Sequence, residues 1–309
     1  MIASRPISGA AGGTWRRRRS GSGSASVPDH FTRFAAIDWS GAKGHRHRGI
    51  AVAACDLGED APRLVEPPGG IWSRTAVLDW LLARRDEPLL VGFDFSFSAP
   101  YVARGAHLPG ETETTDARAL WAYVDAHSPD VDLGAASFLE ARRGRHFYLG
   151  AADGAKRDFL HWRACEVSSG GGAKPSTVYD AIGAAQVAKA SFAGMRLLHH
   201  LAGRIPVWPF DPPPDKGALV VEIYTAIAAR AAGLRKGLSK LRTPEALDAA
   251  LAALGSRPHA PLAGYDDHST DAILAAAWLR AGARRPELWH PPGLTDEIAR
   301  TEGWTFGVS

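Results

Sequence analysis

The sequence predicts an α/β protein, a mixed sheet flanked by helices, with a large and mostly helical segment after its fourth strand. Three observations predict it. Short β-type runs come first, at 34–39 and 49–55. Strand-like and helix-like segments then alternate. Two later runs, Leu89-Leu-Val-Gly-Phe-Asp-Phe95 and Ala218-Leu-Val-Val-Glu-Ile223, are apolar except for one acid each, as suits strands covered by helices on both faces.

Taken in order, residues 1–32 are rich in Arg, Ser, Gly and Ala. Arg16 to Arg19 form a basic run with no apolar segment behind it. A disordered basic leader is expected there rather than a secretory signal, with one folded domain over 33–309. Phe34–Trp39 and Gly49–Cys55 should pair as a hairpin across Gly41 and Gly44, and a weaker third strand falls at Arg63 to Val65. Val77, Leu78, Leu81 and Leu82 set a helix over 74–85, and a strand follows at 89–95. Residues 97–215 hold several helical stretches, the longest near Tyr179 to Leu201, and close on the stiff breaker 209–214. A strand at 218–223 comes next, then helices near 225–233 and 243–254. The last strong helix spans Asp267 to Ala281, opened by Asp, Ser and Thr in capping positions. The end, 303–308, reads as an edge strand or docking segment.

Composition narrows the function. Hydrophobic residues make up 45% of the 309 positions and charged residues 22%, which is ordinary for a globular protein and wrong for a disordered one. A net charge of +3 gives no support for nucleic-acid binding by the whole surface. Cys55 and Cys165 lie far apart and form no CxxC pair, so they read as reduced, buried hydrophobes rather than a disulfide framework or a zinc site. No apolar run approaches the roughly 20 residues of a membrane span, and a cytoplasmic location is expected. Ser169–Ser176 lacks the Gly-Lys pair and following helix of a phosphate loop, and HExxH, GxSxG and GxGxxG are absent.

The informative residues are acids placed inside apolar strands. Asp38 follows Ala35-Ala36-Ile37, Asp94 follows Leu90-Val91-Gly92-Phe93, and Glu222 follows Leu219-Val220-Val221. A carboxylate there carries a desolvation cost of several kcal/mol unless a partner or a metal compensates it. Each acid alone could bond a turn, cap an element, or pair with an arginine such as Arg230 or Arg235. Three together point to convergence. Asp266-Asp267-His268-Ser-Thr-Asp271 opens the last helix, and the 268/271 and 267/271 spacings put each pair on one helix face. Asp38, Asp94, Glu222 and Asp271 as ligands of Mg²⁺ or Mn²⁺, with His268 as extra ligand or base, are what a two-metal phosphoryl-transfer site needs. The basic hairpin residues Lys43, His45, Arg46 and Arg48 are the best local phosphate clamp, with Ser40 and Asp267 supporting the ligands.

Ala36-Ile-Asp-Trp-Ser-Gly41, Val91-Gly-Phe-Asp-Phe-Ser96, Val221-Glu-Ile-Tyr-Thr-Ala226 and Asp267-His-Ser-Thr-Asp-Ala-Ile273 resemble the ribonuclease H-like superfamily, and in particular the domain of unknown function 429 family of predicted nucleases. The last segment also looks like the His-x-x-Asp ending of some RuvC-like resolvases. Trp162-Arg-Ala-Cys-Glu166 resembles the family's Arg-x-x-Glu pattern, which adds Arg163 and Glu166 as supporting residues. The resemblance implies a single ribonuclease H-like domain, interrupted at about 97–215, and metal-dependent hydrolysis of DNA or RNA. One position departs from it, because Thr225 stands where the third motif usually has Pro. A non-catalytic module of the same fold, binding nucleic acid or protein, is the alternative.

Overall fold

A computed structural model of the chain describes residues 27–168, 176–182, 187–235 and 240–309. The Arg16–Arg19 run and nearly all of the Ser169–Ser176 loop lie outside the described residues. The strands and helices, in chain order, are β1 (Arg33–Asp38), β2 (Ala51–Asp56), β3 (Arg63–Leu64), α1 (Arg74–Leu82), β4 (Leu89–Phe93), α2 (Ala117–Ala126), α3 (Ala136–Ala141), α4 (Ala164–Ser168), α5 (Val187–Leu201), β5 (Val207–Trp208), β6 (Leu219–Glu222), α6 (Thr225–Ala231), α7 (Pro244–Ala253), α8 (Asp267–Gly282), α9 (Pro286–Trp289) and α10 (Asp296–Thr301).

The strands form one mixed sheet in the order β3-β2-β1-β4-β6-β5. β1, β2 and β3 are an antiparallel meander, whereas β4, β6 and β5 run parallel to β1. Alternation along the strands divides the core into two. Ala35, Ile37, Leu89, Val91, Phe93 and Val220 pack under α1, α2 and α5. Phe34, Ala36, Leu90, Leu219 and Val221 pack under α6, α7 and α8. All five residues of β4 are buried, and each large apolar side chain removed from water contributes about 1.5–3 kcal/mol. This three-layer arrangement is why β4 and β6 lack a polar face.

Several boundaries shift for identifiable reasons. Helix α1 starts where Ser73 Oγ accepts the Ala76 amide, and α8 starts where Asp266 accepts the Ser269 amide. The helix expected from Tyr179 begins, among described residues, at Val187, since 176–182 are turns and a bridge and 183–186 lie outside the description. Strand β5 is two residues at the sheet edge, too short to show a period. The folded body also begins before residue 33, because Phe31 is buried and stacks on Trp289. The chain end docks rather than forming a strand. Phe306 N donates to Glu222 O, and Trp304 and Phe306 are buried.

The alanines of α8 (Ala272, Ala275, Ala276 and Ala277) are all buried, and these small side chains let that helix lie close over β1 and β2. The turn after β1 is fixed by a close approach. A Cβ on Gly41 would stand 2.2 Å from the Ala190 amide nitrogen in α5. Arg74, fully buried, reaches across to the same turn, where its Nε and Nη2 donate to the carbonyls of Ser40 (2.9 Å) and Ala42 (2.5 Å). Among the described residues, no helix is long and apolar enough to cross a membrane.

Candidate carboxylate site

Parallel strands ending side by side build the site. Ile37 is in register with Phe93, and the Asp94 amide donates to Ile37 O, so Asp38 and Asp94 leave neighbouring strands at one level. Both follow the even-numbered alternation that faces α8. The first turn of that helix brings Asp271 and His268 to the same place. Asp38, Asp94, Asp271, His268 and Glu222 all line one cavity of about 550 Å³.

His268 Nδ1 donates to Asp38 Oδ1 at 3.1 Å. This hydrogen bond raises the His268 pKa, while burial raises that of Asp38 despite the imidazole beside it. Burial, reinforced by the charges of Asp38 and Asp271, pushes Asp94 up to about 8. Burial and the Asp38 and Asp267 charges push Asp271 up to about 7. Three mutually repelling carboxyls at the end of a hydrophobic sheet are held there against their own electrostatics.

Glu222 departs from the expected ligand set. It is in register with Phe93, not Asp94, so its side chain leaves the sheet on the other side from Asp38 and Asp94 and borders the shared cavity only at the strand end. There its Oε2 accepts from Arg163 Nη1 (2.7 Å) and the Phe97 amide (2.7 Å). Its Oε1 accepts from Arg163 Nη2 (2.5 Å) and Thr305 Oγ1 (2.5 Å). Four donors saturate the carboxylate, which is thereby a structural anchor and not a free ligand. Arg163 Nε donates to Glu166 (2.9 Å), so the Arg-x-x-Glu pair is a buried ion pair extended to Glu222. Neither Arg230 nor Arg235 is its partner.

The other expected residues fall around the rim. Ser40 supports the turn rather than a carboxylate, its Oγ accepting from the Ala42 amide at 3.3 Å. Asp267 is spent on Lys240 and, at 2.8 Å, on Arg242. Lys43, His45, Arg46 and Arg48 are exposed on the β1–β2 connection, and none lines the carboxylate cavity. Lys43 faces a separate hollow beside Asp130 and Glu140, and Arg46 donates to Gly69 O. Arg48 borders an adjoining cavity that shares His268.

Two features were not anticipated. Thr225 Oγ1 donates to Asp94 Oδ2 at 3.1 Å, a contact that proline could not make at that position. Arg230 and Lys240 bring positive charge to the same cavity, beside Tyr224. In the sequence Thr225 is marked only by standing where the third motif usually has Pro, and Arg230 only as an arginine that Glu222 could pair with; neither points to this cavity until the strand register is known.

Among the described residues, no group of three or more His, Cys, Asp or Glu side chains stands close enough to enclose a metal ion. The acids share a wall without closing on one point. Compared with protein-family models, curated proteins and solved structures, the chain matches none.

Proposed function

We propose that this protein is a metal-dependent nuclease of ribonuclease H-like fold, hydrolysing phosphodiester bonds in nucleic acid. One observation carries this reading: Asp38, Asp94 and Asp271, from the ends of two neighbouring strands and the start of a helix, line one cavity with their carboxyl pKa values raised by burial and neighbouring carboxylates. The order β3-β2-β1-β4-β6, meander first and parallel strands after, accords with a ribonuclease H-like domain over 33–309 interrupted at about 97–215. Unpaired Cys55 and Cys165 suit the reducing cytoplasm.

The donor chemistry suits a hard divalent cation, Mg²⁺ or Mn²⁺, because the three acids offer oxygen only and their raised pKa values mark a site short of positive charge, but as placed they do not enclose a point, so their side chains must draw together to hold the ion. It does not fit the four-acid, two-metal set, since Glu222 is saturated by Arg163, Phe97 and Thr305. Asp38, Asp94 and Asp271 would hold the ion, which supplies Lewis-acid polarisation of a phosphoryl oxygen. The chain's own residues do the rest. Asp38 fixes the His268 tautomer through Nδ1, leaving Nε2 to carry a proton. Thr225 orients Asp94, and Arg230 counters the phosphate charge.

The test is hydrolysis of single-stranded, duplex and branched DNA and RNA with Mn²⁺. Activity that falls to background in EDTA and in Asp38→Asn is expected; activity indifferent to both rejects the proposal. A non-catalytic binding module of the same fold is favoured by one observation, the failure of the acids to close on a common point. It predicts no specific divalent-ion binding.

A further inference from the structure

The cavity that holds the three acids has a second kind of wall. The acids are recessed: the Asp38 side chain is 13% exposed, whereas that of His268 is 48% exposed. A reacting phosphate must therefore drop below the level of the imidazole. Much of the remaining lining is apolar. Ile223, Tyr224 and Ile227 come from the end of β6 and the start of α6, Val187 and Ala190 from the start of α5, and Val308 from the chain end. Trp39 and Phe95 brace this wall, with Trp39 Nε1 donating to Ala190 O at 3.1 Å and the two rings 5.6 Å apart.

A phosphate and its cation need oxygen donors and positive charge, so an apolar wall inside the same cavity answers to another part of the substrate. The size limits that part. About 550 Å³ encloses one small organic group closely and excludes a double helix, whose major groove alone is about 12 Å wide. Tyr224 joins the two kinds of wall. It immediately precedes Thr225, whose Oγ1 donates to Asp94 Oδ2 at 3.1 Å, so its ring leaves the chain beside the acids. The ring is half-buried and, among the described residues, stacks on no other aromatic, and its hydroxyl makes no hydrogen bond. An unstacked aromatic ring in a recess beside a phosphate site is what a nucleobase stacks on.

We infer that the cavity takes one unpaired nucleotide of a strand, with its phosphate at Asp38, Asp94 and Asp271 and its base against Tyr224 and Ile227. The inference rests on the nuclease reading for the phosphate half. The substrate class is then single-stranded nucleic acid. A fully paired duplex is refused, because its base reaches the wall only after unpairing and unstacking.

The experiment compares Mn²⁺-dependent cleavage of one labelled oligonucleotide, as a single strand and as a blunt duplex, by wild type, Tyr224→Leu and Tyr224→Phe. Wild type should cut the single strand about 100-fold more efficiently in kcat/KM, a comparison that needs no variant to fold. Tyr224→Leu, which keeps apolar bulk and loses the ring, should raise KM for the single strand about tenfold, and Tyr224→Phe, which keeps the ring, should restore it. Duplex cut as fast as single strand, or equal KM in wild type and Tyr224→Leu, overturns the inference and leaves the nuclease reading intact. If neither form is cut, fluorescence anisotropy of the labelled single strand with Mn²⁺ decides. Binding that Tyr224→Leu weakens keeps the nucleotide cavity and removes the nuclease chemistry, and absence of binding removes both.

Discussion

Neutralising Asp94 should stabilise the metal-free protein. Asp94 has a carboxyl raised from 3.8 to about 8, first by burial and then by Asp38 and Asp271. At pH 7 the folded carboxyl keeps its proton while the unfolded one, near 3.8, has lost it, so folding must take up a proton. That uptake costs at most about 4 kcal/mol, at about 1.4 kcal/mol per tenfold. The sign follows from the raised pKa. The penalty is absent below pH ~4, grows as pH rises, and is complete above the folded value of about 8. Asp94→Asn removes it and keeps a side-chain oxygen to accept from Thr225. Urea denaturation in EDTA at pH 5, 7 and 9 should therefore show the variant more stable than wild type, by a margin that widens with pH and levels off above 8. A variant less stable than wild type at pH 7, or a margin equal at pH 5 and pH 9, would refute the electrostatic account of the site.

Glu222 should behave oppositely. Glu222→Ala or Arg163→Ala strands a buried charge and should cost about 3–5 kcal/mol in urea denaturation, and a double-mutant cycle should show the pair far from additive. Asp132 sets an acid limit. Although burial opposes it, hydrogen bonds from His47, Thr75 and Arg74 hold its carboxyl at about 2. Its contribution is present above pH ~4 and is lost as pH falls through about 2, so Asp132→Asn should cost about 2 kcal/mol at pH 7 and nothing near pH 2.

Much of the sheet was legible because burial on both faces leaves a strong mark. Leu89–Phe93 and Leu219–Glu222 have no polar alternation, and such runs have few other homes in a soluble fold. Asp38, Asp94 and Asp271 were legible for the same reason, as charges where hydrophobic residues belong. Glu222 stands out equally, yet its carboxylate is bonded to Arg163. Which face an acid takes depends on register, and the Phe93–Glu222 pairing that turns it away from Asp94 is set by long-range packing. Its partner, Arg163, arrives from 59 residues away through a segment with no strong period. The role of Thr225 was hidden likewise, since a hydroxyl after a strand reads as a helix start until Asp94 is found opposite. The basic hairpin reads as one patch, yet Lys43, Arg46 and Arg48 have three different surroundings.

Calorimetric titration of Mn²⁺ into the wild type, Asp94→Asn and Glu222→Gln tests the shared cation site most directly. Wild type and Glu222→Gln should each bind at one specific site with proton release, and Asp94→Asn should not bind. Absence of specific binding by wild type, or binding that survives Asp94→Asn and vanishes in a folded Glu222→Gln, would contradict it.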